Sequence, residues 1–151
     1  MRTEAVQLVF ALLALAFGSA AECLLPKALG VGFPALLAAT AFFAPRRGVL
    51  PAVCFALVAG AAEDALSGLP FTVSAAFFTM TAAAARGSGM PRLAAVLAYP
   101  VYQLWLWLWN PGLVGSVFIR FLVSLPIGAA TVFLVFLALA GVERKAAADA
   151  H

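Results

Sequence analysis

The sequence predicts an all-α fold, a polytopic bundle of about six transmembrane helices with short loops, forming a single integral membrane domain over residues 1–151. Three observations predict it. Hydrophobic residues make up 66% of the chain and charged residues only 10%, with a mean hydropathy of +1.10; a soluble domain, whose surface must carry charge, does not reach such values. Apolar runs recur along the whole chain, separated by turns rich in Pro, Gly and Arg. When six spans are drawn with the N-terminus inside, Arg2, Arg46, Arg47, Arg86, Arg92, Arg144 and Lys145 all fall on the cytoplasmic side, and Lys27 alone lies in an outer loop. That is the asymmetry expected of a plasma-membrane protein with both termini in the cytoplasm.

The same composition narrows the function. A formal charge of +3 and a pI near 9.3 would suggest a nucleic-acid partner in a soluble chain. Here the basic residues stand singly or in pairs between apolar runs, as topology signals do, so no nucleic-acid partner is expected. Cys23 and Cys54 show neither CxxC spacing nor a nearby histidine, and read as small core residues.

The first segment, Ala5 to Leu25, follows Arg2 and ends with Gly18-Ser19-Ala20, so it resembles a signal peptide as well as a helix. The apolar stretch continues through Ala21, and Glu22 is a poor fit to a lipoprotein cleavage site, which favours an uncleaved span. The second segment runs from about Ala28 to Ala44 and ends at the basic turn Pro45-Arg46-Arg47-Gly48. The third starts near Val49, and the fourth runs from Phe71 to Ala85. Because the second, third and fourth are short of the roughly 20 residues that a span needs, the third is expected to continue as helix through Glu63 and Asp64.

The fifth segment, Leu93 to Trp109, places Tyr99, Tyr102, Trp105 and Trp109 on one face, and Pro100 is expected to kink it. Those aromatics form either an interfacial belt and packing face or a stacking site for a ligand, and the belt is the reading that membrane composition favours. The sixth segment, Leu113 to Val142, carries Arg120 and Pro126, and a short cytoplasmic tail follows from about residue 143.

The candidate site is Gly60 to Pro70. Two adjacent acids inside or beside hydrocarbon each cost about 2.5–3.5 kcal/mol on the lenient insertion scales, so they mark function. Steps of four from Asp64 pass through Ala52, Ala56, Gly60 and Gly68, a stripe of small residues that lets another helix approach closely. Asp64 is therefore expected to face protein. Glu22, Glu63, Asp64 and Arg120 fall at one level in the outer half of the membrane, and Arg120 either pairs with Asp64 or Glu63 or snorkels to the outer headgroups.

Catalytic constellations are missing from the sequence. The single histidine is His151, so a serine or cysteine nucleophile has no histidine base. Asp64 has no second intramembrane aspartate with which to share a proton, and Glu22 with Glu63 is the one acid/base pair worth weighing. Neither an enzyme activity nor a cofactor nor a metal site is expected.

Pro45-Arg46-Arg47-Gly48-Val49, followed by Gly60, Asp64, Ala65-Leu66-Ser67-Gly68 and Pro70, resembles the central signature of the MreD family of rod shape-determining membrane proteins. The resemblance covers roughly residues 34 to 86. Family members often have Leu-Gly where Phe71-Thr72 stand here, and Glu63 is an added acid. The resemblance implies a non-enzymatic inner-membrane subunit of the bacterial rod elongation complex, supporting cell shape and lateral peptidoglycan synthesis. Its implied partners are an MreC-like protein and, indirectly, MreB, RodA and penicillin-binding protein 2. Gly60, Asp64, Ser67 and Gly68 carry over as determinants of the signature helix and turn, with Glu63 and Arg120 as neighbouring charges.

The alternative is the substrate-binding membrane subunit of a vitamin-type transporter. That reading requires an open polar pocket lined by Glu22, Glu63, Asp64, Gln103, Arg120 and the aromatic stripe. A channel is disfavoured because no span presents a repeated polar face.

Overall fold

Every element of the computed structural model, which describes residues 2–29, 34–67, 69–109 and 117–148, is helical. The helices are α1 (Arg2–Leu29), α2 (Ala35–Phe43), α3 (Val49–Ser67), α4 (Val73–Gly87), α5 (Pro91–Trp109) and α6 (Val117–Ala148). Ala, Leu and Phe dominate them, and proline and glycine set several of their boundaries. Pro45 stands in the 3-10 turn Ala44–Arg46 that ends α2, because a proline has no N–H with which to extend the ladder. Gly89, at φ 66°, makes the turn between α4 and α5, and Pro91 opens α5 at the one position where its missing N–H costs nothing.

Two stretches among the described residues, Val49–Ser67 and Leu125–Lys145, are long and apolar enough to cross a membrane, and Val9–Leu24 and Ala35–Arg46 are shorter apolar helices.

The core is organised around the shortest helix. All nine residues of α2 are buried, and α1, α3, α4, α5 and α6 each pack against it. Phe42 and Phe43 carry the packing outward. Phe43 meets Phe10 of α1 edge-on with ring centroids 5.5 Å apart and Phe55 of α3 at 4.8 Å, while Phe42 meets Phe136 of α6 at 5.4 Å. Such edge contacts add to the burial of each ring.

Two glycines permit the closest approaches. A methyl group on Gly60 would overlap the backbone of Ala75, so α3 and α4 touch main chain to main chain. A methyl group on Gly128 would overlap the Tyr99 ring, which seats α5 on α6.

Polar contacts lock one end of the bundle. Arg86 at the end of α4 donates from Nη1 to the carbonyls of Ala44 at 3.0 Å and Arg47 at 2.6 Å. Arg46 donates from Nη1 to Phe42 O at 2.9 Å, stacks its guanidinium 3.9 Å from the Phe42 ring centre and pairs through Nε with Glu143 Oε2 at 3.3 Å. These bonds satisfy carbonyls at the end of α2 and in the turn that follows it, and place positive charge at the negative end of the α2 dipole.

Several boundaries differ from the sequence expectation. The second apolar segment does not run as one helix from Ala28: α1 extends to Leu29, and α2 begins only at Ala35. The tail from residue 143 continues α6 as far as Ala148, since Glu143, Arg144, Lys145 and the alanines that follow are good helix formers. Cys23 is half-buried and Cys54 is exposed, so Cys54 is no core residue. It sits midway between Ala52 and Ala56, off the face that those two bury.

Candidate functional site

The acidic stretch acts on helix ends. A helix that starts inside an apolar bundle leaves up to four backbone N–H groups without partners. The N-terminus of α4 has no side-chain cap from its own Thr72. Asp64, in the last turn of α3, supplies one instead: its Oδ2 accepts the Thr72 N–H at 2.9 Å and its Oδ1 accepts the Ser74 N–H at 2.8 Å. Asp64 is only 1% exposed, so its charge is balanced by these two N–H groups and by the positive end of the α4 dipole.

Thr72 adopts φ 95°. A left-handed backbone is uncommon outside glycine and is a genuine outlier for a β-branched residue. The bend it makes turns the chain from Pro70 into α4 and aims both N–H groups at Asp64.

Two α5 side chains complete this corner. Tyr102 Oη and Ser74 Oγ share a hydrogen bond of 2.6 Å, and Trp105 Nε1 donates to Val73 O at 3.0 Å. Tyr102 also packs on Phe77 and Phe78, and Trp105 on Phe77. The aromatic stripe of α5 thus serves as a packing face toward α4 over this length, while Trp109 at its end is exposed.

The N-terminus of α2 is treated the same way. Pro34 provides no side-chain cap, and Glu22 of α1 reaches across to accept the Leu36 N–H through Oε1 at 2.7 Å. Ala35 N–H and the carboxyl of Glu63 lie close beside the same carboxyl group. Glu63 Oε1 accepts from Ser67 Oγ at 3.2 Å. The structure therefore brings Glu22, Glu63 and Asp64 into one polar layer that joins α1, α2, α3 and α4.

Among the sequence-predicted residues, Gly60 and Asp64 lie buried on the small-residue stripe with Ala52 and Ala56, as the four-residue spacing requires. Ser67 is exposed but bonded to Glu63. Gly68 and the Arg120 side chain lie outside the described residues. Both Asp64 oxygens accept backbone N–H groups, so this carboxylate acts as a helix cap.

Thr72 and Ser74 carry no site signal in the sequence, and Tyr102 and Trp105 enter it only as members of the aromatic stripe. The available signal was the start of α4 itself, which follows Pro70 with no capping box and so needs an acceptor from elsewhere.

A cleft of about 340 Å³ lies between α1, α2 and α6, walled by apolar side chains that include Phe10, Phe17, Ala39 and Leu139. Glu22, Glu63 and Asp64 are not part of its lining. Among the described residues no group of three or more His, Cys, Asp and Glu side chains converges as metal ligands would.

Comparison with known proteins returned no match: no family model, curated protein or solved structure aligns with this chain.

Proposed function

We propose that the chain is a non-enzymatic, six-span subunit of the bacterial inner membrane, with both termini in the cytoplasm, that holds partners of the rod elongation complex as MreD-type proteins do. The observation that carries this reading is Thr72. The MreD pattern often places glycine at this position, and Thr72 adopts the left-handed φ of 95° that glycine takes most easily. A left-handed residue at this position would suit the glycine of the pattern, which supports the reading.

Three further features support the reading. Gly60 and Asp64, two of the signature positions, build one structural corner, the first by close helix approach and the second by capping α4. Arg46, Arg86 and Glu143 gather at one end of the bundle, where the positive-inside rule puts the cytoplasm. Asp64 lies fifteen residues after Val49 in α3, a rise of about 22 Å at 1.5 Å per residue, which agrees with acids in the outer half of a hydrocarbon layer about 30 Å thick. The transporter alternative requires these acids to line an open pocket. Their engagement with helix ends and with each other favours a scaffold, whose partners are an MreC-like protein and, indirectly, MreB, RodA and penicillin-binding protein 2.

The test is co-purification in mild detergent of wild type and of Asp64→Ala at matched expression, with the captured proteins identified by mass spectrometry. Recovery of shape-complex proteins by wild type and their loss in the variant is the expected result. Recovery of transporter ATPase subunits, or of a bound small molecule alone, overturns the proposal.

A further inference from the structure

We propose that Glu22 and Glu63 together bind one proton, held between their facing carboxyl groups, and that this proton ties α1 to α3 at the buried start of α2. The argument rests on counting acceptors. Glu22 Oε1 accepts the Leu36 N–H and Glu63 Oε1 accepts the Ser67 hydroxyl. The remaining oxygens, Glu22 Oε2 and Glu63 Oε2, are buried and find no donor among the described residues, although the two carboxyls are close enough to interact. Ionised carboxylates only accept hydrogen bonds, so a bond between two of them exists only when one proton is shared.

Among the described residues no other counter-charge meets the pair. From α3 comes Asp64, whose oxygens are committed to α4. From α5 come Tyr99 and Tyr102, the other titratable side chains near the pair, with Tyr102 bonded to Ser74. From α2 come the backbone N–H groups of Ala35 and Leu36. Among the described residues neither acid pairs with Lys or Arg. Two adjacent bare carboxylates in such a place would repel and lose their solvation together. A metal ion is the weaker fit, because hard cations take six or more oxygen ligands and two free carboxylate oxygens are what this corner offers.

The experiment uses the full chain in lipid nanodiscs. Infrared spectra of wild type near neutral pH are expected to contain a protonated-carboxyl C=O band worth one group per chain, lost in Glu22→Gln/Glu63→Gln. Raising the pH is expected to remove the proton and lower the melting temperature of wild type, whereas Glu63→Gln, whose amide N–H stands in for the proton, keeps the same melting temperature over that range. The infrared measurement needs no variant to fold. No such band in wild type overturns the proposal, as does a melting temperature that rises with added sodium at constant ionic strength in wild type but not in the double variant. This test is independent of the partners recovered with the protein, so it stands or falls apart from the scaffold reading.

Discussion

Asp64 of α3 accepts the backbone N–H of Ser74 at 2.8 Å, ten residues ahead of it, and thereby closes the start of α4 with a side chain from the preceding helix. The same carboxylate takes the Thr72 N–H. Removing it strands the buried Ser74 N–H and leaves the partly buried Thr72 N–H without its acceptor. Asp64→Ala is expected to destabilise the protein by about 3 kcal/mol, the scale of losing charge-assisted bonds to buried donors. Asp64→Asn keeps one accepting oxygen and should lose roughly half as much. Thermal melts in detergent of the two variants beside wild type measure the order, and equal stability of Asp64→Ala and wild type would remove the cap from the account of α4.

Thr72 offers the opposite sign. A threonine held at φ 95° carries a steric cost of about 1–2 kcal/mol that glycine does not. Glycine gives part of that back through its larger freedom in the unfolded chain. Thr72→Gly is therefore expected to raise the melting temperature modestly, and Thr72→Val, which keeps the branched Cβ, to leave it unchanged or lower it.

The contact of Gly60 with the Ala75 backbone leaves no room for a side chain. Because the obstacle is main chain, α3 and α4 must separate, which also lengthens the Asp64 bonds. Gly60→Ala is expected to cost about 2 kcal/mol and Gly60→Leu to abolish folding, in line with overpacking at a tight interface. Gly141, which meets nothing within 4 Å, is the control: Gly141→Ala should be neutral or slightly stabilising.

At the basic end, Arg86 holds the carbonyls of Ala44 and Arg47. Arg86→Ala releases both and should loosen the turn between α2 and α3, with a loss of about 2 kcal/mol. Arg86→Lys keeps the charge but not the planar fork and should recover only part of it. Faster amide exchange at residues 44–48 in Arg86→Ala, with the C-terminal half of α3 unchanged, is the expected signature.

Much of this architecture was legible in the sequence because it follows from short-range rules. Runs of Ala, Leu and Phe between Pro, Gly and Arg turns marked all six helices, and the need for span length correctly carried α3 through Glu63 and Asp64. The four-residue spacing of Ala52, Ala56, Gly60 and Asp64 determined which face of α3 is buried, since helix geometry alone sets which side chains share a face. Sequence also determined that the acids needed partners, because an unpaired charge in an apolar setting is costly whatever the fold.

Which partners they took was decided only by tertiary structure. Glu22 lies 14 residues before Leu36 and 41 before Glu63, and no local pattern links them. Nor does any local rule say that a nine-residue helix would sit at the centre of the bundle with its N-terminus fed by one helix and its C-terminus held by arginines from the turn after it and from α4. Helix ends present unpaired N–H and C=O groups whose positions are known only once the helices are packed, and the charged side chains go where those groups are.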